Sequence, residues 1–241
     1  MEKRLADLLT IVIPSKNEKW VALETLEHLA DQVGIEGTKV IVADSSTEHF
    51  SKFILKNFTK GLAKKVNYQL IEGGFPADAR RKASLLVDTP YILFLDADVH
   101  IRDKYLLYNL FKNGHMKDTD LLTCKMSTEQ KWNWVYKWFD RFQKISVWLG
   151  TPFAVGSFQL WNMEAYWLAG GYNSEYIFAE DYALSKNVNP KRFKVYDTDK
   201  VWTYARRFRK KGVWYMAKLM FKSYLNRNNP DFFKSDHGYW K

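Results

Sequence analysis

Short apolar runs alternate with amphipathic stretches through the first 126 residues, and no other feature of the chain restricts its fold as much. Leu8 to Ile13, Lys39 to Ala43, Val66 to Ile71, Tyr91 to Leu95 and Asp120 to Met126 are too short for helices and rich in β-branched and aromatic residues, so they read as strands. Trp20 to Gln32, Phe50 to Phe58, Ala77 to Val87 and Lys104 to Asn113 separate them with helical spacing, and Gly73-Gly74 and Thr89-Pro90 act as breakers. This alternation predicts an α/β fold, a mostly parallel, doubly wound sheet with helices on both faces. Ligands of such sheets bind outside the carboxyl ends of the strands.

One strand ends in an unusual way. The run YILFLDADV, Tyr91 to Val99, carries five apolar residues directly into two carboxylates one residue apart. Asp96 and Asp98 lie on the same side of an extended chain, where like charges repel unless a cation sits near them. Oxygen ligands of this kind suit magnesium or manganese, which are usually held by one or two carboxylates together with substrate phosphates. Asp-x-Asp is also a common surface-loop tripeptide; its place at the end of a central strand favours a metal–diphosphate site.

The chain has 241 residues, enough for a sizeable core, and its aromatic content of 17% argues against disorder. We expect a single domain over residues 1–241, with a nucleotide-binding half at 1–126, an acceptor-binding and catalytic half at 127–212, and a basic helix and tail at 213–241. The net charge of +10 is uneven: from Lys186 onward 15 Lys and Arg face 4 Asp and Glu, leaving 22 against 23 before it. A basic region of this kind expects an anionic partner: a diphosphate, an acidic membrane surface or a nucleic acid. Cys124, the single cysteine, leaves no intrachain disulfide and no multi-cysteine zinc site, and reads as a buried apolar filler in a cytoplasmic protein. Asp7 interrupts the apolar start, so a signal peptide is rejected, and no run reaches the roughly 18 apolar residues of a spanning helix. Membrane contact, if made, is peripheral and at the inner face.

Between Trp132 and Tyr172 fall 13 aromatic residues, six of them tryptophan. Within this segment residues 131–150 predict an amphipathic helix. Trp134, Val135, Trp138, Phe142, Ile145, Trp148 and Leu149 make one broad apolar face, with Lys131, Lys137, Asp140, Arg141 and Lys144 solvated. A helix packed over a sheet and one lying on an interface or acceptor give the same stripe.

Several segments recur in a telling order: IVIPSKNE (Ile11 to Glu18), VADSST (Val42 to Thr47), GGFPADARRKA, LDADV, GGY (Gly170 to Tyr172) and AED (Ala179 to Asp181). Together they resemble the family-2 nucleotide-sugar glycosyltransferases, inverting enzymes of the GT-A fold, over roughly residues 8 to 212. The resemblance implies that Pro14, Glu18 and Asp44 hold the base and ribose, and that Asp96 and Ala97 lie at the donor beside Asp98, the ligand of Mn2+ or Mg2+. Ser15 to Glu18 and Asp44 to Thr47 are equally helix-cap sequences. Arg80 matches the arginine of the family's A-R-N-x-G stretch, while Arg81 and Ala83 replace its asparagine and glycine. Arg80 would orient the nucleotide or the Asp-x-Asp loop; otherwise it is a solvated helix arginine.

By the same resemblance Asp181 is the general base that takes the acceptor's proton, and Glu180 orients the loop or binds acceptor hydroxyls. Gly170 and Gly171 would admit the sugar close to the backbone. Arg206 and Arg207, in YARRFRKKG, would complement charge on the leaving diphosphate. Glu180-Asp181 also suits the opening of a helix, and the arginines a solvated charge run. The expected activity is metal-dependent, inverting transfer from a UDP-sugar to a hydroxyl of a glycan or lipid-linked acceptor. A sugar-phosphate nucleotidyltransferase falls behind, because PSKNE lacks the glycine-rich loop such enzymes carry after the first strand. A non-catalytic basic membrane-surface or nucleic-acid-binding protein is the other rival; we expect no nucleic-acid partner.

Overall fold

The strand Leu9–Ser15 (β1) is buried almost throughout, as a strand sandwiched between two helical layers must be. Its Leu9, Ile11 and Ile13 pack into one apolar cluster and Val12 into another on the opposite face. The computed structural model describes residues 4–62 and 64–239. The expected domain span therefore includes residues 1–3, 63, 240 and 241, which lie outside the described residues.

Lys39–Asp44 (β2), Asn67–Glu72 (β3) and Tyr91–Leu95 (β4) follow within a residue or so of their sequence-predicted bounds. Beyond them come Val99–Ile101 (β5), Leu121–Cys124 (β6), Phe158–Asn162 (β7), Phe193–Tyr196 (β8) and Val201–Thr203 (β9). The main sheet has seven strands in the order β3-β2-β1-β4-β7-β6-β8, and β5 pairs with β9 in a small second sheet. β1 to β4 are parallel, β7 runs against both β4 and β6, and β8 is parallel to β6. The sequence pattern implied that the strand after β4 would extend the parallel series directly. Instead β7, from beyond residue 150, inserts between β4 and β6; its run FQLWN carries a buried glutamine and shows no alternation that announces a strand.

The helices Trp20–Ala30 and Leu106–Lys112 cover one face through Leu26, Leu29, Leu106, Leu107 and Leu110. Pro76–Ser84, Met163–Leu168 and Glu180–Ser185 cover the other through Ala77, Ala83, Tyr166 and Leu184. There Phe94 meets Tyr172 edge-on at 5.0 Å, a contact worth about 1 kcal/mol beyond its burial. Gln159 satisfies its buried amide completely enough to serve as a hub: it accepts from Trp161 and Tyr172 and donates to the Ala154 carbonyl. Cys124 is buried, and burial pushes its thiol pKa far up, so it is an inert core residue.

The aromatic helix spans Asn133–Trp148. Its expected single apolar face is divided in the structure. Val135, Phe139 and Phe142 turn inward, whereas Trp134, Trp138, Ile145, Trp148 and Leu149 are exposed about one residue's rotation away. Eleven apolar or aromatic positions among the twenty residues 131–150 cannot all face one core.

Candidate active site

β4 ends at Leu95, and the chain passes through Asp96-Ala97-Asp98 before β5 begins, so the two aspartates sit where the large and small sheets meet. The antiparallel insertion of β7 matters here. Leu95 pairs with Phe158, which sets the residues just before β7 beside those just after β4. Asp96 accordingly donates its backbone N–H to the Ser157 carbonyl at 3.2 Å. Ala97 is buried, and its carbonyl accepts from the Thr25 hydroxyl at 2.9 Å, which ties the turn to the Trp20–Ala30 helix.

Two arginines from distant parts of the chain reach these carboxylates. Arg80 is 3% exposed and projects from the Pro76–Ser84 helix; it donates to Asp96 Oδ1 at 2.6 Å and to Glu180 Oε1 at 2.7 Å. Arg206 donates to Asp98 Oδ2 at 2.6 Å and lies 2.8 Å from Glu18 Oε2. Pairing of β5 with β9 delivers Arg206, because β9 leads directly into the Arg206–Lys211 helix. Glu129 holds the start of that helix by accepting the Ala205 N–H at 3.2 Å. Arg207 stacks over the Tyr239 ring at 4.9 Å.

Backbone strain gathers at the same place. Asn17 and Lys19, on either side of Glu18, take φ values of 57° and 51°, and Ala179, just before Glu180, takes 47°. Left-handed conformations cost non-glycine residues about 1–3 kcal/mol and persist where surrounding contacts hold them, often at functional sites. Asn17 shows the restraint: its side-chain oxygen accepts from the N–H groups of Thr47 and Glu48, joining the loops after β1 and β2.

Asp181 faces Gly156. Its Oδ2 accepts the Gly156 N–H at 2.8 Å and its Oδ1 accepts the Tyr182 N–H at 2.8 Å, leaving a further lone pair on each oxygen. Burial, followed by the neighbouring Glu180 carboxylate, raises the Asp181 pKa to about 6, against the opposing pull of those N–H groups and Arg80. Asp98 is also raised, by burial and then by Asp96, with Arg206 working against both. Glu18 is raised by burial in spite of Arg206.

Among the sequence-predicted site residues, Glu18, Arg80, Asp96, Asp98, Glu180 and Arg206 are thus linked by ion pairs, and Asp181 adjoins them through the chain. Asp44 ends β2 in a local turn: its Oδ1 accepts from the Ser46 N–H and hydroxyl, ahead of the helix that begins at His49. Pro14 sits opposite Ala43 in the β1–β2 register. Gly171 ends the Met163–Leu168 helix with φ 63° and its N–H on the Tyr166 carbonyl; a Cβ there would meet Arg81 Nη1 at 2.8 Å. Arg81 and Trp167 are the side chains such a Cβ would meet, and Gly171 lines one pocket with Glu180. Sequence reasoning did not single out Asn17, Glu129, Gly156 or Ser157. Only the asparagine, inside the quoted PSKNE loop, carried a local signal.

No three metal-ligating side chains form a ready-made cluster among the described residues. The donor set nevertheless fits a hard divalent cation: Asp98 and Asp96 offer carboxylate oxygens one residue apart, and burial, then the Asp96 charge, raises the Asp98 pKa although Arg206 pairs with it. Such an ion completes its shell with phosphate oxygens and water. Asp98, with Asp96 beside it, would hold it.

The family model for "Glycosyl transferase family 2" matches residues 10–168, more than half of the chain, and takes in β1, the Arg80 helix and both aspartates. The chain belongs to glycosyl transferase family 2. Solved structures share its fold. The Pyrobaculum calidifontis mannosyltransferase PcManGT, in complex with GDP-Man and Mn2+, superposes with a TM-score of 0.65 at 16% identity, covering 88% of this chain and 64% of that one. Residues 1–349 of Staphylococcus aureus TarS, in complex with UDP-GlcNAc, give 0.61 at 18% identity, covering 83% and 59%. Glucosyl-3-phosphoglycerate synthase from Mycobacterium tuberculosis, in complex with phosphoglyceric acid, gives 0.58 at 12%, covering 92% and 80%. This family 2 chain thus spans less than two thirds of the first two relatives. Curated protein sequences contain no match to it.

Proposed function

We propose that this chain transfers one sugar from a nucleotide-diphosphate donor, a uridine-linked one, to a hydroxyl of a glycan or lipid-linked acceptor, with inversion at the anomeric carbon. The observation that carries the reading is the chain of ion pairs from Glu18 through Arg206 to Asp98, and from Asp96 through Arg80 to Glu180, ending beside a carboxyl poised near neutrality. Alternating cations and carboxylates at the carboxyl ends of parallel strands suit a ligand that is both a polyhydroxyl and a polyanion. The complexes of the neighbours with GDP-Man and Mn2+ and with UDP-GlcNAc support a nucleotide-sugar donor.

In this reading residues 1–126 bind the nucleotide, with Pro14, Glu18 and Asp44 at the base and ribose, Asp96 near the ribose and Ala97 beside it at the donor, and residues 127–212 receive the acceptor. The acceptor oxygen forms its bond to the anomeric carbon as the bond from that carbon to the diphosphate breaks, and the electron pair leaves on the diphosphate. Asp181 takes the hydroxyl proton; a pKa near 6 makes it a better base than a solvated aspartate while leaving it ionised at pH 7. Arg206 and Arg207 donate to charge that grows on the departing diphosphate. Manganese or magnesium at Asp98 supplies Lewis-acid neutralisation of the diphosphate when bound.

The test is a thermal-shift and turnover panel of UDP- and GDP-linked sugars with and without Mn2+. A donor should raise the melting temperature further when Mn2+ is present, and Asp98→Ala should lose that increment. Asp181→Asn should keep the increment and lose transfer. Product of retained anomeric configuration, or transfer that survives both substitutions, would refute the assignments.

A further inference from the structure

Two helices outside the site expose what a helix usually hides. On Asn133–Trp148 the residues Trp134, Trp138, Ile145 and Trp148 recur at steps of four, seven and three, one helical stripe, and Trp148 is 84% exposed. On Val213–Leu225 the residues Trp214, Phe221 and Leu225 form a second stripe, at steps of seven and four, with Trp214 89% exposed. These are not loosely packed helices whose inner faces have been mistaken for outer ones. Val135 and Phe139 of the first share an apolar cluster with Val213 and Met216 of the second, and Phe142 shares another with Met220 and Tyr224. Each helix therefore has a filled inner face and an apolar outer one.

The outer stripes are set among cations. Lys137, Arg141 and Lys144 flank the first, Lys218 and Lys222 the second; all five are exposed, and none forms an ion pair among the described residues. No acidic residue occurs between Asp199 and Asp231, and Asp140 is the only one between Gln130 and Gly150. Apolar anchors ringed by lysine and arginine match the interfacial region of an anionic bilayer, where aromatic and aliphatic side chains enter the acyl boundary and cations meet the headgroups. A second copy is a poorer occupant, because a two-fold contact would set these cations against one another. Nucleic acid would use the cations and rings, but it has no use for Ile145, Leu149 and Leu225.

We infer that the outer stripes of Asn133–Trp148 and Val213–Leu225 dock on an anionic lipid bilayer. No helix among the described residues is long and apolar enough to cross a membrane, so the attachment is a surface one. It is reversible, and increasing salt weakens it by screening the headgroup attraction.

Co-sedimentation with vesicles of phosphatidylcholine alone, or with about one third phosphatidylglycerol, tests this. The full chain should bind the anionic vesicles, more weakly at high salt, and bind the neutral ones little. Combined Trp148→Ala and Trp214→Ala should weaken binding by roughly tenfold or more, while the circular-dichroism spectrum and donor hydrolysis stay unchanged, since neither residue packs in the core or the site. Lys218→Glu with Lys222→Glu should weaken it as well. Absence of binding to anionic vesicles, or binding indifferent to the tryptophan pair, overturns the inference. A dimer in sedimentation velocity that the same substitutions abolish, or retention on polynucleotide without vesicle binding, would reassign the surface to those partners and overturn it too. Donor turnover is read separately, so a failed docking test leaves the catalytic reading standing.

Discussion

Arg206 and Asp98 are 108 residues apart in sequence and 2.6 Å apart in space, and a two-stranded sheet three residues long brings them together. Asp98 immediately precedes β5, Arg206 lies three residues past the end of β9, and antiparallel pairing of Val99 with Thr203 sets the two ends side by side. Removal of the guanidinium leaves Glu18 and Asp98, both already biased toward protonation by burial, without their shared cation. Arg206→Ala should lower turnover by roughly a hundredfold, the typical cost of losing one preorganised donor to a leaving group. Steady-state kinetics that show kcat unchanged would remove Arg206 from the reaction.

Arg80 is a structural matter before it is a catalytic one. It is buried and holds Asp96 and Glu180 at once, so Arg80→Ala strands two carboxylates in a cavity sized for a guanidinium. Breaking a buried pair by removing one partner costs about 3–5 kcal/mol. Urea unfolding of Arg80→Ala should show a lowered midpoint, and Arg80→Lys should recover only part of it, since one ammonium cannot replace a bidentate fork.

The Asp181 carboxyl has a pH signature with a definite sign. Its pKa is raised in the folded protein, so the fold binds a proton that the unfolded chain has released between about pH 4 and pH 6, and stability falls as pH rises through that window. Asp181→Asn removes the cost of the buried charge. Its amide can accept only one of the two backbone N–H groups that Asp181 holds, so it should melt below the wild type at pH 4 and recover relative to it as pH rises to 8. Transfer by the wild type should rise with pH to a plateau above a midpoint near 6. A flat rate profile from pH 5 to pH 8 would argue against a base with this environment.

Gly156 tests how tightly the two halves of the site are pressed together. A Cβ at this position would stand 2.9 Å from Arg80 Nη2 and 3.5 Å from Asp181 Cβ. The arginine is pinned by two ion pairs and cannot swing aside at small cost. Gly156→Ala should therefore destabilise the protein by about 1–3 kcal/mol, the usual range for overpacking, and reduce transfer through displacement of Asp181. Denaturant unfolding and initial rates measured on one preparation check both effects.

Much of this architecture can be read along the chain, and the reason differs between elements. β1, β2 and β4 announce themselves because both of their faces are buried, which demands continuous apolar runs. β7 does not, because its buried Gln159 takes its partners from Trp161, Tyr172 and Ala154, and no pattern within FQLWN foretells them. β5 and β9, at three residues each, lie below the length at which alternation can be seen. The sequence left open whether the tryptophans of residues 131–150 face outward, because periodicity shows that residues share a helix face and says nothing about whether that face meets a core or solvent.

The chemical inventory of the site belongs to the local sequence: the acid pair after an apolar strand, the arginine four residues past a helix-opening proline, the Glu180-Asp181 dipeptide and the basic run after Tyr204 are all short-range features. Which cation meets which carboxylate was decided by tertiary structure alone. Those pairings span from 16 residues, for Arg80 with Asp96, to 188, for Arg206 with Glu18, and depend on strand order, on the reversed insertion of β7 and on the β5–β9 pairing. A residue type and its immediate neighbours set what a side chain can do; only closure of loops across the whole sheet sets what it touches, and burial then fixes the proton affinity with which it acts.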